Sequence, residues 1–341
     1  MGLTTALLLG VAGLLYCGIS PVEAIGQAGR AVLGSWSGIA AVLAKSVPLA
    51  FCGLAVALAG AMRLWNVGAE GQLALGAMSG AGFALYCAPD LPAYAAPALA
   101  LLAAALGGAL WAAIPGLLKV GARVNEVLST LFLNYVAAIL LTHLYYGPWR
   151  DPAGFGFPST ALLPQAFWLP RLPGTTLSLG LPLALLCAFG SWLLLRRTRW
   201  GFEILVAGAS AQAARYDHIP VARRTLALLA LSGAMAGLAG GIEVLAVQRR
   251  LQDGLLVGHG YAGLLVAFLA RLHPLGLFLV ALLLGAFLVG VEELHLTRAL
   301  PSGFGQVLEA GLLLGFLVGE AVRRARFNTT PPPALPEESQ P

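Results

Sequence analysis

Leu226-Ala-Leu-Leu-Ala-Leu-Ser-Gly-Ala-Met-Ala-Gly-Leu-Ala-Gly-Gly-Ile-Glu-Val-Leu-Ala-Val247 is an almost unbroken apolar run. As a helix it is long enough to cross a bilayer, because about 20 residues at 1.5 Å each cover roughly 30 Å of hydrocarbon. Gly233, Gly237 and Gly241 recur every four residues along it and so share one face. Small residues on one face let two helix backbones approach in lipid. Gly76 and Gly80 repeat the spacing in a second run.

Working outward, comparable runs fall at about 3–20, 38–61, 71–88, 93–114, 126–146, 177–195, 256–270, 275–291 and 305–321. Charged residues make up only 10% of the chain, and the mean hydropathy is +0.84. A soluble domain carries about 25% charge, so this surface suits lipid rather than water. The fold expected is all-α: a polytopic membrane helix bundle of about ten transmembrane helices occupying residues 1–327. Residues 328–341 read as a disordered, Pro-rich cytoplasmic tail. Val22-Glu23-Ala24 faintly resembles a cleavage site, but no positive n-region precedes it, so residues 1–20 are read as the first span.

Basic residues orient the bundle. With the N-terminus cytoplasmic, 13 Lys/Arg fall inside and 6 outside, with Lys45 within a helix. That predicts N-in and C-in. The Arg-rich stretches 196–224 and 323–326 carry most of the asymmetry. These charges sit in short loops rather than on a folded wet patch, which argues against a nucleic-acid partner.

Chemical machinery is missing. Lys45 follows Ala44 and Lys119 follows Leu118, so neither belongs to a phosphate-binding loop of the Gly-Lys-Ser/Thr type. No His-Glu-x-x-His, Cys-x-x-Cys or Gly-x-Ser-x-Gly motif occurs. No catalytic residue, metal site or cofactor is expected.

Three polar stretches interrupt the apolar pattern. The first is Arg63-Leu-Trp-Asn-Val-Gly-Ala-Glu-Gly-Gln72. It reads either as a broken helix near a pathway or as a tight cytoplasmic turn in which Glu70 pairs with Arg63. The second holds Glu126, Thr130 and Asn134, four apart and so along one side of a helix. Such a stripe points away from lipid, towards a pathway or towards interhelical hydrogen bonds. The third is Trp200–Pro220, in which Ala207–Tyr216 predicts a short amphipathic helix on the cytoplasmic face. That helix would rest in the headgroups or dock a cytoplasmic partner.

Four stretches together resemble the integral membrane permeases of ATP-binding cassette (ABC) importers for simple sugars, branched-chain amino acids and nucleosides. The nucleoside-type permeases look most similar. Asn66-Val-Gly-Ala-Glu-Gly-Gln72 matches their Asn-x-Gly-x-Glu-Gly-Gln. Val124–Tyr135 matches their Val-Asn-Glu-Val-x-Ser-Thr-x-x-Leu-Asn-Tyr. Gly201–Ile219 looks like the family's coupling segment, and Gly258-His-Gly-Tyr261 like its helix entry. Leu205, Ser210 and His218 depart from the usual Arg, Asn and Gly of the coupling segment.

The resemblance implies a permease subunit, not itself an enzyme, in the bacterial plasma (inner) membrane. Asn66, Glu70, Gln72, Glu126, Thr130 and Asn134 would line or brace the substrate pathway. Gly208, Ala213, Ala214, Arg215 and Tyr216 would couple to an ATPase. It implies as partners a cytoplasmic ATP-binding cassette ATPase, a second permease (identical or different), and an external solute-binding protein or lipoprotein, all in membrane lipid. A secondary transporter or channel using Glu70 or Glu126 is the competing reading.

Overall fold

The computed structural model describes residues 2–154, 156–172, 175, 177–298, 301 and 303–327. The tail expected at 328–341 lies outside these described residues. Among the described residues thirteen α-helices run in the order α1 (Gly2–Tyr16), α2 (Pro21–Leu33), α3 (Trp36–Gly60), α4 (Ala69–Gly82), α5 (Ala96–Ala122), α6 (Glu126–Tyr146), α7 (Gly180–Arg197), α8 (Arg199–Ala209), α9 (Ala211–Tyr216), α10 (Val221–Ile242), α11 (His259–Leu269), α12 (Gly276–Arg298) and α13 (Phe304–Phe327). α4 and α10 run on into wider π turns at Phe83–Cys87 and Glu243–Gln248. Among the described residues, extended pairing is limited to isolated bridges.

Each of the ten apolar runs carries a helix. Among the described residues, six helices are long and apolar enough to cross a membrane: α3, α5, α6, α7, α10 with its π turn, and α12. α11 and the Phe304–Phe316 part of α13 are apolar but shorter. Two stretches differ from expectation. Residues 21–33, too polar to form an apolar run, are helical: α2 opens on Pro21 and has Glu23 in its first turn and Arg30 in its last, both matching the helix dipole. The amphipathic helix expected over Ala207–Tyr216 is divided. α8 ends at Ala209, and Ser210 caps α9 by accepting a hydrogen bond from the Ala213 amide at 3.3 Å.

The chain forms two compact units. One comprises the residues up to Gln27 and those from Val291 onward. Within it α1 packs on α13, and Leu14, Ile19 and Ala24 bury themselves against Leu294. Gln27 Nε2 donates to Thr297 Oγ1 at 2.6 Å.

The other unit, Ala28–Gly290, has α4, α5 and α10 at its centre. The glycine stripe explains how these helices meet. A methyl group added to Gly237 would overlap the Ala104 carbonyl oxygen of α5, and one added to Gly76 of α4 would overlap Gly237. Gly233 meets Gly108 in the same way, and Gly240 meets the Leu73 carbonyl. Dispersion between touching backbones replaces the hydrophobic effect that lipid cannot supply.

The polar stretch 147–176 is fastened to the end of α10. The Leu163 amide donates to the Arg249 carbonyl at 2.8 Å, and the Leu169 amide to Leu245 at 3.0 Å. The Thr160 amide donates to the Leu251 carbonyl at 2.9 Å, and the Leu251 amide returns a bond to Thr160 Oγ1 at 3.0 Å. The Arg249 guanidinium lies 3.8 Å above the Trp168 ring, a cation–π contact that holds the segment in place.

Candidate functional site

The chain between α3 and α4 is not helical. A turn at Ala61–Arg63, with Arg63 left-handed (φ 56°), ends α3, and Leu64–Asn66 lead to a second turn at Val67–Gly68; Met62, Leu64 and Asn66 are buried and Arg63 and Trp65 exposed. The link climbs into the bundle rather than turning outside it. α4 begins beside Asn134 and Ala137 of α6 and near Ser232, in the middle of α10. α11 begins at the same place: Gly260 packs against the Glu70 backbone, and Gly263 against Cys52 of α3. Two helix N-termini therefore meet inside the bundle. Their unsatisfied amides need partners there.

Glu70 supplies them for α11. Its carboxylate accepts hydrogen bonds from the Gly258 amide at 2.9 Å and from the Gly260 amide. The negative charge also favours the positive end of the α11 dipole. Gly258 adopts a left-handed backbone (φ 94°), open to glycine at little cost, which turns the chain so that both amides face Glu70. Pairing of Glu70 with Arg63, one of the two readings above, is not what the geometry shows.

Asn66 and Gln72 form a second knot. Asn66 Nδ2 donates to Gln72 Oε1 at 2.8 Å, and Gln72 Nε2 donates back to Asn66 Oδ1 at 2.9 Å. Asn66 Nδ2 also donates to Ser232 Oγ at 2.7 Å, and Ser232 passes a bond on to the Ala55 carbonyl of α3 at 2.6 Å. Asn66 Oδ1 caps the link by accepting from the Gly68 amide. The link, α3, α4 and α10 are thereby joined by buried side chains.

Asn134 brings in α6. Its Oδ1 accepts from the Gly71 amide at 2.9 Å, while its Nδ2 donates to the Val67 carbonyl and to the Tyr261 hydroxyl. Thr130, one turn earlier, packs against Gly68 and returns its hydroxyl to the Glu126 carbonyl. Glycine is required at 68 and 71 for α6 to approach. An added methyl would stand 2.9 Å from Thr130 Cβ at the first and 2.9 Å from Asn134 Oδ1 at the second.

Glu126 stands apart from this cluster. Its carboxylate accepts from Lys119 Nζ at 2.6 Å and so fastens the end of α5 to the start of α6. Asn66, Glu70, Gln72, Thr130 and Asn134 are thus gathered at the meeting of α4, α6 and α11, and Glu126 lies one helix turn beyond.

The Trp200–Pro220 stretch touches the start of the link. A methyl at Gly208, in the last turn of α8, would overlap the Ala61 carbonyl and approach Met62 Cα to 2.9 Å. Ala61 and Met62 begin the same link that carries Asn66. Beyond Ser210, α9 buries Ala214 and exposes Ala213, Arg215 and Tyr216, the last 87% accessible. Glu203 of α8 pairs with Arg224 of α10 and braces the segment.

Sequence reasoning missed Ser232, a lone hydroxyl beside the first glycine of the stripe. It also missed a set of ionisable groups: Lys45 of α3 is near enough to Glu243 and to His259 for its charge to act on both. The three lie 198 and 16 residues apart in the chain, so spacing carries no sign of them. Among the described residues no group of three or more His, Cys, Asp or Glu is placed to hold a metal ion.

The pattern that defines the family "branched-chain amino acid transport system / permease component" matches residues 38–320. The chain belongs to this permease family. Among curated proteins, the permease is 32% identical to the glucose ABC transporter permease protein TsgB13 of Haloferax volcanii, over 95% of this chain and 87% of the relative. It is 30% identical to the guanosine ABC transporter permease protein NupP of Bacillus subtilis, over 93% of each. It is 27% identical to the nucleoside ABC transporter permease protein NupB of Lactococcus lactis, over 90% of this chain and 86% of the relative. The permease is a multi-pass inner-membrane protein of the ABC importer type.

Proposed function

We propose that this permease forms half of the translocation pathway of an ABC importer for nucleosides, with simple sugars as the second substrate class. A second permease, identical or different, completes the pathway. An external binding protein delivers the solute, and ATP is hydrolysed on a separate cytoplasmic subunit. About ten crossings, with both ends inside, make up residues 1–327; α1, α4, α11 and α13 complete the set begun by the six long apolar helices. The observation that carries this reading is the contact of Gly208 with Ala61 and Met62. It joins an exposed cytoplasmic helix directly to the link that holds Asn66, Glu70 and Gln72.

In this mechanism Gly208, Ala213, Ala214, Arg215 and Tyr216 take up motion from the ATPase. α8 passes it to the link, and the hydrogen bonds of Asn66, Gln72, Thr130 and Asn134 rearrange as the pathway opens to alternate sides. Hydrogen bonds between uncharged side chains suit such exchange, because each is worth only about 1 kcal/mol net. Glu126 braces the inner end through Lys119. The relatives named for guanosine and nucleosides support the substrate class; the one named for glucose keeps sugars as the second. Ion-coupled transport through Glu70 or Glu126 is not favoured, since the α11 amides hold one carboxylate and Lys119 the other.

The test is uptake of labelled guanosine, with glucose as comparison, into cells producing the permease with its genomic neighbours. Guanosine uptake that stops on ATP depletion but survives an uncoupler is expected, and membranes holding this chain alone should hydrolyse no ATP. Uptake with the opposite sensitivities would overturn the reading. A second expected outcome concerns coupling. Arg215→Glu combined with Tyr216→Ala should abolish ATPase co-purification and reduce uptake by more than tenfold while leaving the thermal midpoint of the permease unchanged, because both side chains are exposed.

A further inference from the structure

α7 presents a single buried stripe, Ala184, Ala188, Ser191 and Leu195, and leaves Leu186, Phe189 and Leu193 exposed. Its outer face is therefore lipid-facing. It ends on Arg196 and Arg197, so those residues stand where the helix leaves the hydrocarbon. There they line one side of a groove with Arg199 and Phe202 of α8, closed on the far side by the Asp217–Pro220 turn with His218.

The charge of this groove is unbalanced. Its two acids are Glu203, already paired with Arg224, and Asp217. Among the described residues none of the three arginines makes an ion pair. Arg196 and Arg197 complement the C-terminal end of the α7 dipole, which accounts for them in part. Arg199 has no such excuse. It is the first residue of α8, where a cation opposes the dipole. An anion in the groove relieves that conflict. The exposed Phe202 lines the groove, and exposed Leu193 and Phe189, one and two turns before Arg197 on the same side of α7, offer acyl chains an apolar track from the same point.

We propose that this groove is a binding site for the phosphate headgroup of an anionic phospholipid, held by Arg196, Arg197 and Arg199 with its acyl chains along α7. Position favours lipid over a soluble anion, since the arginines sit at headgroup level and the apolar track runs into the hydrocarbon. A bound lipid here would wedge between the last turn of α7 and the segment that leads to Gly208, so the leaflet's anionic content would set how firmly α8 is held.

The test uses full-length permease in nanodiscs of phosphatidylcholine containing phosphatidylglycerol, released for native mass spectrometry. Retained phosphatidylglycerol is expected on the parent protein. The triple variant R196Q/R197Q/R199Q should lose it, by about fivefold for each charge removed. The triple lysine variant should keep most of it, which separates loss of the site from loss of the fold. Arg150→Gln, an exposed arginine elsewhere, should retain it in full. Equal retention by parent and triple glutamine variant would overturn the proposal. So would displacement of the lipid by millimolar inorganic phosphate, which would make the groove a soluble-anion site. Unchanged lipid retention with lost ATPase co-purification would overturn it too, assigning the groove to an acidic segment of the partner.

Discussion

Gly237→Val should prevent the permease from assembling: detergent-solubilised protein should elute as aggregate rather than as a monodisperse peak. Gly237 is the point where α4, α5 and α10 touch backbone to backbone. A side chain there meets the Ala104 carbonyl and the Gly108 backbone on one side, and Gly76 of α4 approaches on the other. Backbone cannot rotate aside as a side chain can. Even alanine should cost about 3 kcal/mol, the upper end for added core volume, and valine more. Total stabilities of about 5–15 kcal/mol leave little margin for that. Gly190→Ala is the matching control. It lies in α7 with open space around it, and removing a helix-interior glycine there should stabilise by up to about 1 kcal/mol. Thermal midpoints that fall for Gly237→Ala and hold or rise for Gly190→Ala would establish that position, not composition, sets the cost.

Glu70→Ala should release the start of α11. The Gly258 and Gly260 amides lose their acceptor, and each unsatisfied buried amide costs roughly 1–3 kcal/mol. Hydrogen exchange at residues 258–263 should accelerate by about a hundredfold or more, since roughly 3 kcal/mol is a little over two powers of ten. Uptake should fall with it. Glu70→Gln keeps one acceptor oxygen and should sit between the two. If the amides of Glu70→Ala exchange at the parent rate, the carboxylate is not what holds the helix.

Much of this architecture was legible in the sequence, and the reasons are local. Apolar length marks the six helices long enough to cross because the bilayer demands it, whereas α2, α8 and α9 carry no such mark. The period-four glycines marked packing faces on α4 and α10 because only small residues permit close approach, but not α5 as the helix they meet. Asn66, Glu70, Gln72, Thr130 and Asn134 stood out as polar groups that lipid would not tolerate. Their partners did not stand out. Glu70 binds amides 188 and 190 residues away, and a backbone amide has no signature in a sequence. The break at Ser210 was hidden because a serine reads equally as helix surface and as cap. Lys45, Glu243 and His259 were invisible as a group because three separate elements bring them together.

The meeting of Gly208 with Ala61 is main chain on main chain. A push delivered through long side chains is partly spent on changes of their rotamers. Here no lever arm intervenes between α8 and the link. Under the coupling proposed above, displacement of α8 would pass directly to the link that carries Asn66. A coupling of this kind would be geared for small movements: a partner shifting α9 by a fraction of a helix turn would already move the proposed pathway side of the link.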